Sequence, residues 1–336
     1  MKKRKINIII LLLALTLVLY FTLKDNFSGV IFELSRVNIV IFIISILIFI
    51  ISLIFKSISL HVFIKEHKKN YSFKKTFELT LMGQFLNGIT PFQSGGQPFQ
   101  VYLLKKDGFR ISDSTCAMVK DFISFQITLI LMGLFAIFTN KLFNIIPEND
   151  YTTFLISIGF VINVVVLVVL FIITTAKASS LKIINKILDF LLRFKFVKKL
   201  KISKQKIVLG LENFYEGGNE LRKDKRNLII SVLANAINLV LLYSIPFIIF
   251  KSLGCDSITI TSSIVVTSFV MLIGNFIPIP GATGGIEYGF ISFFSNFPIA
   301  SSVLSSAMLL WRFVTYFFGM LIGFVTLALK EGVDKK

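Results

Sequence analysis

The chain has 336 residues, of which 55% are hydrophobic and only 16% charged. A soluble domain carries about a quarter charged residues, so this composition excludes one and points to a polytopic membrane protein. The net charge of +18 is concentrated in loops between apolar runs, as membrane orientation requires. The expected partners are therefore the lipid bilayer and anionic headgroups, with no nucleic acid bound directly.

In chain order, Met1-Lys2-Lys3-Arg4-Lys5 precedes an apolar run of about 6–23. It looks like a signal peptide but lacks a small-x-small cleavage site, so it reads as an uncleaved first helix. A second run covers about 38–64, and an interrupted one about 76–104. A span at about 113–138 and a polar loop with Asn140, Pro147, Glu148, Asn149 and Asp150 complete the first half. The second half has runs at about 152–174 and 227–250, an interrupted one at about 258–297, and a last span at about 302–328. Between its first two runs lies a basic cytoplasmic segment, 177–226. Within it, Lys182, Lys186, Asp189 and Arg193 recur at helical spacing, so 181–200 is expected to be an amphipathic helix on the membrane surface.

Charge sets the sidedness. Loops 1–5, 56–75, 105–113 and 177–226 are basic and expected in the cytoplasm; 24–37, 139–151 and 251–257 are nearly neutral and expected outside. This requires 76–104 to enter and leave on the cytoplasmic side, and 258–297 on the outer side. Both termini are then cytoplasmic. The expected fold is all-α: a polytopic integral membrane protein of two inverted repeats, 1–138 and 152–328, each of three spans plus one helical hairpin. Whether each hairpin is re-entrant or a pair of short full spans stays open.

The two interruptions share their punctuation. Asn87-Gly88-Ile89-Thr90-Pro91-Phe92-Gln93-Ser94-Gly95-Gly96 and Asn275-Phe276-Ile277-Pro278-Ile279-Pro280-Gly281-Ala282-Thr283-Gly284-Gly285 each begin Asn-x-Ile and contain Pro-x-x-x-Gly-Gly. Pro91 and Pro280 remove a backbone donor and break the helices. The Gly95-Gly96 and Gly284-Gly285 pairs permit positive φ and close approach. Non-helical backbone at membrane depth persists only where protein buries it or water reaches it, so both tips are candidate binding sites. Gln93 and Gln97, with Gln84 and Gln100, offer amides around the first tip.

Charged residues inside spans reinforce this reading, because an isolated charge at the bilayer centre costs several kcal/mol. Glu287 is expected to pair with Arg312, while Lys120 or Asp121 lines the same cavity from the other half; Lys120 has the alternative of snorkelling to the cytoplasmic surface. Asn235 and Asn238 read as interhelical glue. No nucleophile lies beside a base, and Cys116, Cys255, His61 and His67 do not form a metal-binding spacing. No catalytic residue, metal or cofactor is expected.

The stretch Thr90-Pro91-Phe92-Gln93-Ser94-Gly95-Gly96-Gln97-Pro98-Phe99-Gln100, together with Pro278 through Glu287, resembles the lysylphosphatidylglycerol synthase transmembrane-region family. That family includes the flippase half of the multiple peptide resistance factor. The resemblance implies a lipid flippase in the bacterial plasma membrane that carries aminoacylated phosphatidylglycerol outward and confers resistance to cationic antimicrobial peptides. It also implies a separate aminoacyl transferase as partner, and Glu287 and Arg312 as an acid–base pair. Many relatives have Gly-Glu-x-x-Arg after the first turn, where this chain has Gln97 and Gln100. Two other readings remain, a membrane lipid transferase and a small-solute or ion transporter. A homo-oligomer is compatible with all three.

Overall fold

A computed structural model describes residues 27–147, 150–175, 215–274 and 277–333. The run 6–23, the amphipathic segment 181–200, and Asn275 and Phe276 lie outside them. The first half contains α1 (Phe27–Ser35), α2 (Ile39–His67), α3 (Phe73–Gly88), α4 (Gly96–Lys106) and α5 (Ile111–Phe143). The second contains α6 (Asp150–Thr175), α7 (215–223), α8 (Lys225–Ser252), α9 (Ile260–Gly274), α10 (Gly285–Phe294), α11 (Ser301–Arg312) and α12 (Gly319–Val333). The protein is all-α, with no strand among the described residues. Among the described residues, five stretches are long and apolar enough to cross a membrane: α2, α5, α6, α8, and α11 joined to α12.

The segment 24–37, expected as an outer loop, contains α1. Its Val30 is buried, and the Ser306 hydroxyl of α11 donates to the Val30 carbonyl at 3.4 Å. Residues 215–223, expected within a basic linker, are helical. The helix α2 continues to His67, so Lys56 belongs to a membrane helix instead of the cytoplasmic loop that charge counting suggests.

Two helices form the central seam. Asn38 caps α2 by accepting from the Val40 and Ile41 amides, and its own N–H donates to the Ser252 carbonyl at the end of α8. Twenty-one residues on, Ser59 meets Ser231 at 2.7 Å. These two contacts make α2 and α8 antiparallel. In the same heptad register stand Ser45 and Ser52 on α2 and Asn238 and Ile245 on α8, all buried. On α2 the serines at every seventh position let the two apolar helices approach closely where lipid supplies no hydrophobic drive.

Each hairpin packs in its own apolar cluster. The first sits among Leu60, Phe63, Leu79, Met82, Leu104 and Val119. The second is walled by Phe250, Phe269, Phe290, Phe294 and Trp311, with Phe290 stacked on Trp311 at 4.9 Å between centroids. In contrast, α6 exposes Phe154, Val161, Val165 and Val168, the surface expected of a helix facing lipid.

The hairpin arms are short. They contain 16 and 11 residues in α3 and α4, and 15 and 10 in α9 and α10. At 1.5 Å per residue the longest spans about 24 Å, less than the ~30 Å hydrocarbon core. Both tips are 3-10 turns, Pro91–Gln93 and Pro280–Ala282, and they touch each other. Their backbones follow one recipe. In the first, Thr90 is extended (φ −116), then Phe92 and Gln93 take φ 54 and 52; in the second, Ile279 is extended (φ −106), then Gly281 and Ala282 take φ 65 and 52. The Ser94 and Thr283 hydroxyls both donate to the preceding proline carbonyl at 2.9 Å.

The glycine expectation is met in only one turn. In the second, Gly281 and Gly284 carry positive φ. In the first, the left-handed positions fall on Phe92 and Gln93, and Gly95 is right-handed (φ −79). Gly96 serves close approach there: its N–H donates to Asn87 Oδ1 at 2.8 Å, and a Cβ would lie 2.5 Å from that oxygen.

Two irregularities mark the second half. Pro246 lies inside α8 and breaks its ladder. Ser263 of α9 repairs it: the Phe247 N–H donates to Ser263 Oγ at 3.0 Å, which in turn donates to the Tyr243 carbonyl at 2.8 Å. A π-turn, Phe313–Phe318, joins α11 to α12 directly after Arg312.

Candidate functional site

The seam, the first hairpin, α5 and the π-turn enclose a cavity of about 370 Å³. The helix α2 contributes Lys56; α3 and the first tip contribute Gln84, Asn87, Phe92 and Gln93; α4 contributes Gln97 and Gln100. Opposite them stand Asp121, Phe125 and Gln126 of α5, and Asn238 and Tyr243 of α8. A smaller pocket of about 90 Å³ adjoins it through Gln84, Asn87, Gln93, Met271 and Thr315, and reaches Arg312, Tyr316 and Trp311.

Lys56 and Asp121 form the charged centre of the larger cavity, with Nζ 2.8 Å from Oδ2. Asp121 Oδ1 also accepts from Ser59 Oγ at 2.6 Å, and Lys56 Nζ reaches Asn235 Oδ1 at 3.4 Å and lies 4.8 Å from the centre of the Phe125 ring. Asn235 donates to Ser59 at 2.7 Å, so it joins helices. Asn238 differs: it is 3% exposed, lines the cavity, and its Oδ1 has no partner among the described residues.

Lys120 points away from this cavity. It is 1% exposed and reaches Glu66 at 2.5 Å and Glu220 at 2.7 Å. Consecutive residues on an α-helix point about 100° apart, and here Asp121 and Phe122 fall on the cavity side while Lys120 falls on the side that meets Glu66 and Glu220. Burial works against the Glu220 carboxylate, but hydrogen bonds from Lys120 and Cys116 outweigh it and hold its pKa below the usual carboxylate value. His67, Cys116 and Glu220 bring potential metal-ligating atoms within 4.8 Å of one another. The Lys120 ammonium already neutralises that group, so it reads as an ion-pair lock joining α2, α5 and α7.

The second tip is braced from within. Arg312 Nε lies 2.7 Å from Glu287 Oε1, an ion pair whose N–H is not aligned as a hydrogen bond. Arg312 also donates to the Gly281 carbonyl at 3.0 Å and to the Thr283 hydroxyl at 3.4 Å, with its guanidinium 4.2 Å from the centre of the Tyr316 ring. Glu287 Oε2 accepts from the Gly284 N–H at 2.7 Å, and Tyr316 donates to the Gly88 carbonyl of the other hairpin at 3.0 Å. Glu287 thus caps α10, and Glu287, Pro280, Gly284 and Gly285 line neither of these two cavities. Gln93, Gln97 and Asp121 line the larger cavity and Arg312 the smaller; Pro91, Gly95 and Gly96 shape the first tip.

Lys56 is the cavity residue that charge counting conceals. It sits nine residues before Lys65 and merges into the basic loop that follows. The usable signal is the apolar sequence beyond it, Ile58, Leu60, Val62, Phe63 and Ile64, which keeps the membrane helix running past the charge.

Residues 7–323 match the family described as the lysylphosphatidylglycerol synthase TM region. A UPF0104 membrane protein of Methanocaldococcus jannaschii is 26% identical over 275 residues, 79% of this chain and 77% of that one. Another from Archaeoglobus fulgidus is 24% identical over 259 residues, 76% of each. With a match along nearly its whole length, the chain belongs to the lysylphosphatidylglycerol synthase transmembrane-region family.

Proposed function

We propose that the protein is a membrane lipid translocase whose headgroup site is the cavity between α2, α5, α8 and the first hairpin tip. The observation that carries this reading is a roughly 370 Å³ chamber in which an ion pair and several amides are set among apolar side chains, walled by a helix break and centred on Lys56 and Asp121. Charges at membrane depth mark substrate paths more often than they lock structure. Paired broken helices meeting at their tips are the architecture by which secondary transporters build sites near the midplane.

The inverted repeat belongs to this proposal. Its support is the shared dihedral recipe of the two tips, the antiparallel run of α2 and α8, and arms too short to cross a bilayer alone. In this reading the protein lies in the cell membrane with both termini cytoplasmic. The family's description supplies lysyl-phosphatidylglycerol as the first headgroup to try, with a separate aminoacyl transferase making it and resistance to cationic peptides as the outcome.

Proteoliposomes holding the full-length protein and fluorescent headgroup-labelled lipids test the activity through the loss of inner-leaflet protection from an impermeant quencher. Wild type is expected to equilibrate at least one labelled lipid across the bilayer. The Lys56→Met, Asp121→Asn double variant, with its tip brace intact, is expected to lose most of that rate. Equal rates in both proteins would remove the cavity from the mechanism.

A further inference from the structure

The cavity's ionisable lining is one cation and one anion, and they are spent on each other. Among its described lining residues, Lys56 and Asp121 are the charged pair, 2.8 Å apart, so the chamber is neutral as a unit. A headgroup with surplus positive charge, such as a lysyl ester with two ammonium groups, would find no free carboxylate there. Glu287 offers none, because Arg312 and the Gly284 amide occupy both of its oxygens. A charge left unpaired in such a place costs several kcal/mol.

The rest of the wall sets amides and aromatic rings among aliphatic side chains such as Leu53, Leu129, Val166 and Leu242. Gln84, Gln93 and Gln97 surround the first tip, and amides both donate and accept. Asn238 Oδ1, in a side chain 3% exposed, is a buried acceptor without a donor among the described residues; a flip of the amide, which exchanges Oδ1 with Nδ2, turns that oxygen toward the cavity. Leaving such an acceptor empty costs about 1–3 kcal/mol. A lipid phosphodiester, an anion with no proton to donate at neutral pH, cannot satisfy it; a hydroxyl can, and can accept from a neighbouring amide in return. Phe92 supplies a platform. It is 55% exposed, lines the cavity, and is held at φ 54, a conformation a bulky side chain adopts only when its surroundings enforce it.

We infer that the cavity holds a hydroxyl-rich headgroup with no net charge, a sugar or similar polyol, seated on the Phe92 face with one hydroxyl donating to Asn238. This rests on the translocase reading and narrows its cargo away from aminoacylated lipid. The volume of about 370 Å³ falls in the range of small-molecule sites.

Trp311 is the single tryptophan and lines the adjoining pocket, so its emission reports occupancy without any transport step. Full-length protein in zwitterionic nanodiscs is titrated with monoglucosyl diacylglycerol, phosphatidylglycerol, lysyl-phosphatidylglycerol and free glucose. The glucosyl lipid is expected to saturate the signal at a lower mole fraction than either phospholipid. Asn238→Ala should weaken it about tenfold, the size of one lost hydrogen bond, and Asn238→Ser, which keeps an oxygen acceptor, should recover part of that. Tighter binding of either phospholipid overturns the inference. So does an Asn238→Ala protein with native circular dichroism that binds the glucosyl lipid like wild type. Saturation by free glucose as readily as by the lipid keeps the headgroup chemistry and overturns a lipid carrier. Translocation measured in liposomes separates the two readings: glucosyl lipid bound but never moved defeats the translocase, whereas phosphatidylglycerol moved while glucosyl lipid is ignored defeats the headgroup assignment alone.

Discussion

At the scale of the residue, the four charges that the sequence singles out divide into two kinds. Glu287 and Arg312 are closed on each other and on the backbone of the second tip, and Lys120 on Glu66 and Glu220, so these three hold a shape. Asp121 faces open space with Lys56 beside it. A buried pair is strongly destabilised when one partner is removed, and far less when both are. Lys56→Met is therefore expected to cost about 3 kcal/mol, the Lys56→Met, Asp121→Asn double variant distinctly less. Thermal unfolding of the three proteins in one detergent checks this, and a double variant no better than the single would show that the pair does not act as a unit. Asp121 was legible as a charge in an apolar span. Its choice over Lys120 was not, because the helix face that meets the cavity depends on α2 and α8, which are distant in sequence.

At the scale of the element, the hairpins show what composition conveys and what it leaves out. Pro91 and Pro280 announce the breaks because a missing donor is a property of the residue itself. Their actual turn is not announced: the first tip forces Phe92 and Gln93 into a region that the second assigns to Gly281 and Ala282. Packing against the opposite tip overrides local preference. Gly281 is the sharper constraint, since a Cβ there would strike the Tyr316 ring as well as straining φ. Gly254 has φ +73 with nothing within 4 Å. Gly254→Ala should thus cost about 1–2 kcal/mol from backbone strain alone. Gly281→Ala should cost that plus a further ~1–3 kcal/mol for overpacking. Equal melting temperatures for the two variants would mean that Tyr316 yields freely and does not brace the tips.

At the scale of the whole molecule, six spans and two hairpins were read from hydropathy and punctuation, because roughly 20 apolar residues are a physical requirement of the bilayer; the first span lies outside the described residues, and the other five are helices there in the expected order. Orientation rests on the distribution of Lys and Arg. By that distribution Cys255, in the short link after α8, is expected on the outer face. Cys255 is partly exposed and Cys116 buried. An impermeant maleimide added to intact cells is expected to label wild type and to leave Cys255→Ser unlabelled; labelling of Cys255 only after the cells are opened would invert the topology. The interlocking of the long helices was harder to see. The every-seventh positions Ser45, Ser52 and Ser59 are scattered among stronger apolar signals, and their meaning appears only once Ser231 stands opposite.

The hydroxyl of Ser263 carries a mechanical consequence. At the level of Pro246 the backbone of α8 closes only through an atom borrowed from the second hairpin. The two therefore share a rung. If α9 slides along α8, a peptide N–H and a carbonyl are bared in the membrane interior, where nothing else replaces the missing link. Hairpin and bend must then travel together, and Leu242 and Tyr243, beside that rung, form part of the chamber wall. A displacement of the second tip is geared in this way to the width of a cavity that belongs mostly to the first.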